Sequence, residues 1–222
     1  MPARCSICYI TDRSAFPGDE LARRRALLDR IAEAAGCGVD YIQLREKDLS
    51  VRGLEALARE AVRVVQIGSQ GNTGSRPTPR LLINSRSDVA LATGTDGVHL
   101  RSDDIAPEDA RRIWKRGQSI HARMIVGVSC HSTVEIQRAE KQGADFAVFA
   151  PVFEKKGTPG AQATGLDALR QACRHKIPVL ALGGVTLENA KACLDAGAAG
   201  IAAIRLFQEN NLEEVLKQLR GH

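Results

Sequence analysis

Three polar side chains alternate along one short segment, Gln43-Leu44-Arg45-Glu46-Lys47. In an extended strand, successive side chains point to opposite faces, so Gln43, Arg45 and Lys47 share one face. Two cations and an amide that converge on one point are suited to a diphosphate, because they neutralise and hydrogen-bond its oxygens. The interior of a strand rarely carries three such groups without a ligand. The segment therefore predicts a binding site for a phosphorylated small molecule.

Two adjacent aspartates are candidate metal ligands. Asp103 and Asp104 follow a strand-like segment that contains His99, and Asn84 ends the segment before it. Mg²⁺ in phosphate sites takes one or two carboxylates together with phosphate oxygens, so carboxylates beside a diphosphate suit this ion. Aspartate also caps helices by accepting hydrogen bonds from their first backbone amides. The sequence leaves both roles open for this pair.

A serine and a histidine end another strand-like segment, Gly127-Val128-Ser129-Cys130-His131. Side chains of these two types, placed together at the end of a strand, could transfer a proton to or from a substrate. His131 could equally be the first residue of the helix that follows. The segment alone does not decide between these two roles.

Glycines and a cation near the C-terminal part of the chain predict a phosphate site. Gly183 and Gly184 follow the seventh apolar segment, and Ile204 and Arg205 lie at the end of the eighth. Backbone N–H groups at such turns bind phosphate, and eight-stranded α/β barrels use the loops after strands seven and eight for this purpose. The alternative is that the glycines serve only the turn.

Positioning these groups requires strands that all end at one surface. Apolar segments of strand type alternate with amphipathic helical stretches, which predicts parallel strands with crossover helices. Eight strands in 222 residues, without a Gly-x-Gly-x-x-Gly turn, favour a (β/α)8 barrel over an open doubly wound sheet. We expect one domain over residues 1–222. The predicted strands are residues 6–11, 41–46, 80–85, 97–100, 124–130, 146–152, 178–184 and 200–206.

A weak internal repeat supports the closed barrel. Gly38, Gly94, Gly143 and Gly197 each begin a three-residue connection into a predicted strand. Glycine just past a helix is the residue that adopts the left-handed cap conformation without a Cβ penalty. The repeat therefore predicts that these four glycines end helices.

Composition restricts the class of protein. The formal charge of +5 suits anionic ligands, but the basic residues are scattered and there are only 1 Trp, 2 Tyr and 5 Phe. We therefore expect the ligands to be small phosphorylated molecules and not nucleic acid, because nucleic-acid binding is typical of a basic stripe interleaved with aromatic residues.

No apolar run is long enough for a membrane span. The absence of a signal peptide, and six cysteines that we interpret as reduced thiols, predict a cytoplasmic protein. Oligomeric state is left open.

Eight short motifs, taken in order along the whole chain, resemble the thiamine phosphate synthase and thiazole tautomerase superfamily. Each motif is weak by itself, and their order on successive predicted strands carries the resemblance. The motifs are Tyr9-Ile10-Thr11-Asp12, Gln43-Leu44-Arg45-Glu46-Lys47, Leu82-Ile83-Asn84, Asp96-Gly97-Val98-His99-Leu100, Gly127-Val128-Ser129, Pro151-Val152-Phe153, Thr164-Gly165-Leu166 and Ala181-Leu182-Gly183-Gly184.

The resemblance implies a transferase of thiamine biosynthesis. Such a synthase joins hydroxymethylpyrimidine diphosphate to a thiazole phosphate and releases pyrophosphate. Its chemistry resembles a dissociative substitution, which requires neutralisation of the leaving group and alignment of two rings. The catalytic residues implied are Ser129, Lys47 and His131, with Asp104 as the ligand of Mg²⁺. The implied substrate-binding residues are Gln43, Arg45, Lys47, Asn84, Ser129, Lys155, Gly183, Gly184, Ile204 and Arg205.

Three positions depart from the pattern of the synthases. Ser85 stands where they carry a second metal-binding aspartate, which weakens the expectation of Mg²⁺. Residues 154–158 replace a Thr-x-Thr-Lys loop, although Lys155 or Lys156 could restore its charge. Arg205 replaces a serine and could either reach the phosphate or block it.

The departures leave two alternatives beside the synthase. One is a thiazole tautomerase, which needs neither metal nor diphosphate and would use His131 as its proton shuttle. The other is a non-catalytic relative that binds phosphate. Retention of Gln43, Arg45 and Lys47 favours the synthase, because a tautomerase has no diphosphate to hold.

Overall fold

The strands of the chain close on themselves. In a computed structural model, which describes residues 4–70, 78–117, 123–154 and 163–221, neighbouring strands pair in parallel and in sequence order, and the last pairs with the first. The strands are β1 (Ser6–Ile10), β2 (Tyr41–Leu44), β3 (Arg80–Asn84), β4 (Gly97–Leu100), β5 (Ile125–Cys130), β6 (Phe146–Phe149), β7 (Val179–Ala181) and β8 (Gly200–Ala203). The prediction of a (β/α)8 barrel is confirmed.

Helices connect the strands on the outside of the barrel. The described helices are α1 (Glu20–Cys37), α2 (Val51–Ser69), α3 (Ser87–Thr93), α4 (Pro107–Gly117), α5 (Thr133–Lys141), α6 (Gly165–Ala172), α7 (Leu187–Asp195), α8 (Arg205–Gln208) and α9 (Leu212–Arg220), with a short 3-10 helix at Arg13–Ala15. The helices pack one apolar face on the sheet, as α2 does with Leu54, Leu57 and Ala61. None of the described helices is long and apolar enough to cross a membrane.

The glycine repeat has a physical basis in the connections that enter alternate strands. Gly38 and Gly94 have φ of 78° and 69°, the left-handed conformation predicted for them. Two residues later, an aspartate carboxylate accepts the backbone N–H of the preceding strand: Asp40 from Ile7 at 2.8 Å and Asp96 from Leu81 at 2.9 Å. The third copy repeats the contact, with Asp145 accepting from Val126 at 2.7 Å. The repeat thus joins consecutive strands at the amino-terminal end of the barrel.

Several strands end earlier than predicted, at the surface where the site lies. The prediction of a strand over 178–184 is wrong after Ala181, because Gly183 and Gly184 have φ of 99° and 63° and cannot continue an extended strand. The prediction over 200–206 is wrong after Ala203, because the chain turns at Ile204 into α8. The shorter strands leave the backbone of these residues at the mouth of the barrel rather than in the sheet.

Candidate functional site

The carboxyl ends of the parallel strands form one mouth, and two side-chain amides lie within it. Gln43 of β2 is 2% exposed, and its Nε2 donates to Asn84 Oδ1 at 2.8 Å. Asn84 Nδ2 in turn donates to Ser85 Oγ at 3.1 Å. Within the described residues, Gln43 Oε1 is buried without a hydrogen-bond partner. The pair therefore leaves one buried acceptor unsatisfied, which is unusual because buried polar atoms are normally paired.

The two predicted cations follow β2 at different depths. Arg45 is half-buried and Lys47 is exposed. After burial, the charge of Arg45 is the next cause of the lowered pKa of His99, so the two side chains interact electrostatically. Lys47 lies further out along the same segment.

A histidine and a serine from neighbouring strands are in contact at the centre of the mouth. His99 Nε2 of β4 lies 2.9 Å from Ser129 Oγ of β5. His99 is 1% exposed, and its Nδ1 has no partner within the described residues. Burial, then the nearby charge of Arg45, lowers the pKa of His99 to about 4. The imidazole is therefore neutral at neutral pH.

The ring of His99 fits because its neighbour on β5 is glycine. A Cβ on Gly127 would lie 2.8 Å from His99 Nδ1 and 2.5 Å from Phe146 Cζ. Phe146 stacks on Tyr41 at a centroid distance of 4.5 Å beneath the histidine. The layer of aromatic rings closes the barrel under the site, so the mouth ends in an apolar floor. His99 was expected only as part of a motif, and its place in the site was not predicted from the sequence.

His131 lies at the rim, beyond the end of β5. Its Nδ1 is 2.7 Å from the carbonyl oxygen of Ala150, a contact that requires Nδ1 to carry the proton, because the carbonyl only accepts. In the neutral ring this assigns Nε2 as the basic nitrogen. His131 is exposed and does not itself belong to α5, which begins at Thr133. The geometry suits a proton carrier.

The acidic residues after β3 and β4 are engaged by arginines of their own loops. Asp104, whose side chain is 13% exposed, accepts the backbone N–H of Arg101 at 2.7 Å and its Nε at 3.3 Å. Arg86 makes two hydrogen bonds to Asp88 at 2.8 and 2.5 Å. Asp104 therefore closes its loop rather than capping α4, the alternative raised from the sequence.

These residues do not form a preformed Mg²⁺ site. Ser85 offers a hydroxyl where a second carboxylate would be needed, and both oxygens of Asp104 are already bound to Arg101. No group of three or more His, Cys, Asp and Glu within the described residues could hold a metal. Mg²⁺ requires nearly ideal octahedral geometry, which one engaged carboxylate does not provide.

Backbone amides at the ends of β7 and β8 form a second polar surface of the mouth. The amides of Gly183, Gly184 and Ile204 donate no hydrogen bond to the backbone of the described residues. Asn189 Nδ2 holds the carbonyl of Gly184 at 3.0 Å, which fixes the loop. Arg205 is exposed at the start of α8. Unpaired amides from two adjacent turns are typical of an anion-binding cradle. Lys155, and with it Lys156, lies outside the described residues.

The barrel and its mouth define the class: a (β/α)8 barrel with polar side chains and backbone amides at the carboxyl ends of its strands. Residues 7–207 match the family model described as thiamine monophosphate synthase. The chain belongs to this family.

Individual relatives agree with the family model. A putative thiamine-phosphate synthase 2 of Aquifex aeolicus is 38% identical over 90% of this chain and 96% of its own. The thiamine-phosphate synthase of Chlorobium luteolum is 36% identical over 89% of this chain and 82% of its own. Among solved structures, a thiamine phosphate pyrophosphorylase from Pyrococcus furiosus superposes with a TM-score of 0.75 at 28% identity, over 97% of this chain and 94% of that one.

Proposed function

We propose that the chain is a thiamine-phosphate synthase, which joins hydroxymethylpyrimidine diphosphate to a thiazole phosphate and releases pyrophosphate. The observation that supports the proposal is that one mouth carries two sets of groups suited to anions. The cations Arg45 and Lys47 follow β2, and the unpaired amides of Gly183, Gly184 and Ile204 follow β7 and β8. A coupling of two phosphorylated substrates needs two such sites, whereas binding one phosphate needs a single one.

The cations lower the barrier to departure of the leaving group. In the proposed reaction the bond from the pyrimidine methylene carbon to oxygen breaks, and the diphosphate leaves with the electron pair. The nitrogen lone pair of the thiazole then forms the new bond to that carbon. Arg45 and Lys47 neutralise the charge that develops on the diphosphate, and a hydrogen bond to a charged group contributes about 1.5–3 kcal/mol. No step of this proposal passes through a metal ion of the protein; any Mg²⁺ arrives as a counterion of the diphosphate.

The amide pair of Gln43 and Asn84 supports recognition of an aminopyrimidine. Gln43 Oε1 is a buried acceptor without a partner in the described residues, and an amino group on a flat ring would supply the missing donor. Asn84 fixes the orientation of the Gln43 amide through its 2.8 Å contact. The ring would then lie over the apolar floor made by Phe146 and Tyr41. Recognition of this kind penalises a ring that lacks the amino group, since Gln43 would stay unsatisfied.

His99 prepares Ser129 as a donor to the diphosphate. With a pKa of about 4 the imidazole is neutral, so one nitrogen carries a proton and the other does not. If Nε2 carries it and donates to Ser129 Oγ, the hydroxyl proton of Ser129 points away from the ring. That proton can then be donated to a phosphate oxygen of the leaving group. We therefore assign His99 as the residue that orients Ser129.

Thiazole tautomerisation is the second candidate, and one contact favours it. The 2.7 Å contact of His131 Nδ1 with Ala150 leaves Nε2 basic at an exposed position, as a proton shuttle requires. This chemistry would use the cradle of β7 and β8 for the single phosphate and would leave Arg45 without a role. His131→Ala should then reduce the rate of tautomerisation by about 10²–10⁴.

One experiment separates the candidates. The protein is incubated with both synthase substrates and Mg²⁺, and thiamine phosphate is measured by chromatography; a parallel sample receives thiazole carboxylate phosphate and is followed for aromatisation. Formation of thiamine phosphate supports the synthase, and aromatisation alone supports the tautomerase. Failure of both reactions would leave a phosphate-binding relative without this chemistry. A cytoplasmic location is part of the proposal, supported by six cysteines that form no disulfide within the described residues.

A further inference from the structure

Beside the cations that follow β2 lies a set of polar side chains, the buried Thr11, Arg13 and Glu46 and the exposed Asp48, which we call the β1–β2 clamp. The side chain of Glu46 is 2% exposed and that of Arg13 is 6% exposed. Thr11 Oγ1 donates to Glu46 Oε1 at 2.5 Å. The backbone N–H and Nη1 of Arg13 donate to Glu46 Oε2 at 3.0 and 3.2 Å. Both oxygens of the buried carboxylate are thus held by the segment that follows β1.

Arg13 extends the clamp to the residue beyond Lys47. Its Nη1 and Nη2 donate to the two oxygens of Asp48 at 2.7 and 2.8 Å. This paired geometry is the strong arrangement of an arginine and a carboxylate. It lowers the pKa of Asp48, chiefly through the side-chain hydrogen bond. Lys47 therefore lies between two residues, Glu46 and Asp48, that are both bound to Arg13.

Thr11 connects the clamp to the backbone of Arg45 through its hydroxyl group. The N–H of Thr11 donates to the carbonyl of Gln43 at 3.0 Å, as in a parallel ladder. The next N–H of the partner strand, that of Arg45, donates to Thr11 Oγ1 at 2.9 Å. Since the same hydroxyl donates to Glu46, the carboxylate fixes the orientation of the acceptor for Arg45. The backbone of Arg45 and the two residues that flank Lys47 are therefore held by the clamp.

We infer that Glu46 is a positioning residue that, through Thr11 and Arg13, holds Arg45 and Lys47 in the geometry that binds the diphosphate. Buried ion pairs contribute little net stability, because desolvation offsets the attraction. The clamp is therefore better explained as fixing the geometry of the segment that carries Arg45 and Lys47 than as stabilising the barrel. The inference rests on the proposed function for the identity of the anion, and it adds a role for a residue that does not face the mouth.

The test is binding of inorganic pyrophosphate to the folded protein and to Glu46→Gln, measured by titration calorimetry. Removal of one negative charge near Arg45 would by Coulomb's law tighten binding of an anion. Loss of positioning weakens binding instead. We therefore expect the Kd for pyrophosphate to rise about tenfold, which corresponds to about 1.4 kcal/mol. In the synthase assay, KM for the pyrimidine diphosphate should rise while KM for the thiazole phosphate, bound at β7 and β8, stays unchanged. General loosening of the fold would raise both.

The matched control is Glu60→Gln, which removes a carboxylate from the Arg24–Glu60 ion pair of α1 and α2 at 3.0 Å; its Kd should equal that of the parent. Should Glu46→Gln not fold, Asp48→Asn breaks the exposed end of the clamp and should raise the Kd about threefold, roughly 0.6 kcal/mol.

Each result bears on one proposal or on both. An unchanged or lower Kd for pyrophosphate in the folded variant overturns the positioning role and leaves the proposed function intact. A parent protein that binds pyrophosphate but makes no thiamine phosphate overturns the function, and the Kd of the variant still decides the role of Glu46. A parent protein that binds no pyrophosphate overturns both.

Discussion

His99→Gln should remove a large part of the acid sensitivity of the barrel. Burial lowers the pKa of His99 from its ordinary value of 6.5 to about 4 in the folded protein. In the unfolded chain the imidazole takes up its proton at about pH 6.5. The stability that comes from keeping this ring neutral is therefore fully present above pH 6.5. It is lost progressively as the pH falls toward 4, because only the unfolded chain accepts the proton in that window.

The magnitude follows from the size of the shift. Each pKa unit corresponds to about 1.36 kcal/mol, so the complete loss is about 3 kcal/mol. At pH 4.5 the folded ring is still mostly neutral and the unfolded ring is almost fully charged, which makes the loss about 2–3 kcal/mol. Glutamine places an amide near the position of Nε2, keeps a partner for Ser129 and binds no proton. The variant should therefore lose about 2–3 kcal/mol less than the parent between pH 7.5 and pH 4.5.

Urea unfolding at both pH values measures this difference directly. Carboxylates and other histidines contribute equally to both proteins, so they cancel when the pH effect in the variant is subtracted from that in the parent. His131→Gln is the control, because this ring is exposed, and it should reproduce the acid sensitivity of the parent. Equal losses in the parent and His99→Gln would refute the assignment of His99 as a buried neutral imidazole.

Three further changes test other parts of the site. Ser85→Asp should give the ligand-free protein measurable affinity for Mg²⁺ by calorimetry, because aspartate tolerates the φ of 61° at this position and adds a carboxylate at the end of β3; no gain over the parent contradicts our account of the metal. Arg205→Ala should weaken binding of thiazole phosphate about tenfold, and undiminished binding would show that the cradle acts without it. Gly183→Ala should cost at least about 2 kcal/mol in urea unfolding, because its Cβ would lie 2.7 Å from Pro151 Cα at a φ of 99°. Gly143→Ala, at a φ of 76° with open space around it, should cost less, and equal costs would refute the argument from close contact.

Periodicity and glycine placement predicted most of the fold. The alternation of apolar strands and amphipathic helices requires no knowledge of tertiary contacts, and the barrel follows from the number of repeats. Strand ends at the mouth were less predictable. Ile204 continues the apolar pattern of β8, which is typical of a strand, yet β8 ends at Ala203 and α8 begins at Arg205.

The paired contacts of the site could not be predicted from spacing. The contact of His99 with Ser129 depends on the register of β4 with β5, in which His99 lies opposite Gly127. His99 could have been found from the sequence, because it occupies an inward position on its strand as Gln43 does. The pairing of Asp104 with Arg101 has no comparable signal, since many loops contain an aspartate near an arginine without joining them.

Release of pyrophosphate that depends on both substrates tests the central claim most directly. The parent protein is mixed with hydroxymethylpyrimidine diphosphate and thiazole phosphate, and pyrophosphate and thiamine phosphate are measured together. We expect the two products in equal amounts, none when either substrate is omitted, and a rate at least about tenfold lower in Arg45→Gln, because one charge-assisted contact to the leaving group is lost. Equal rates in the parent and Arg45→Gln, or pyrophosphate formed without thiamine phosphate, would contradict the account.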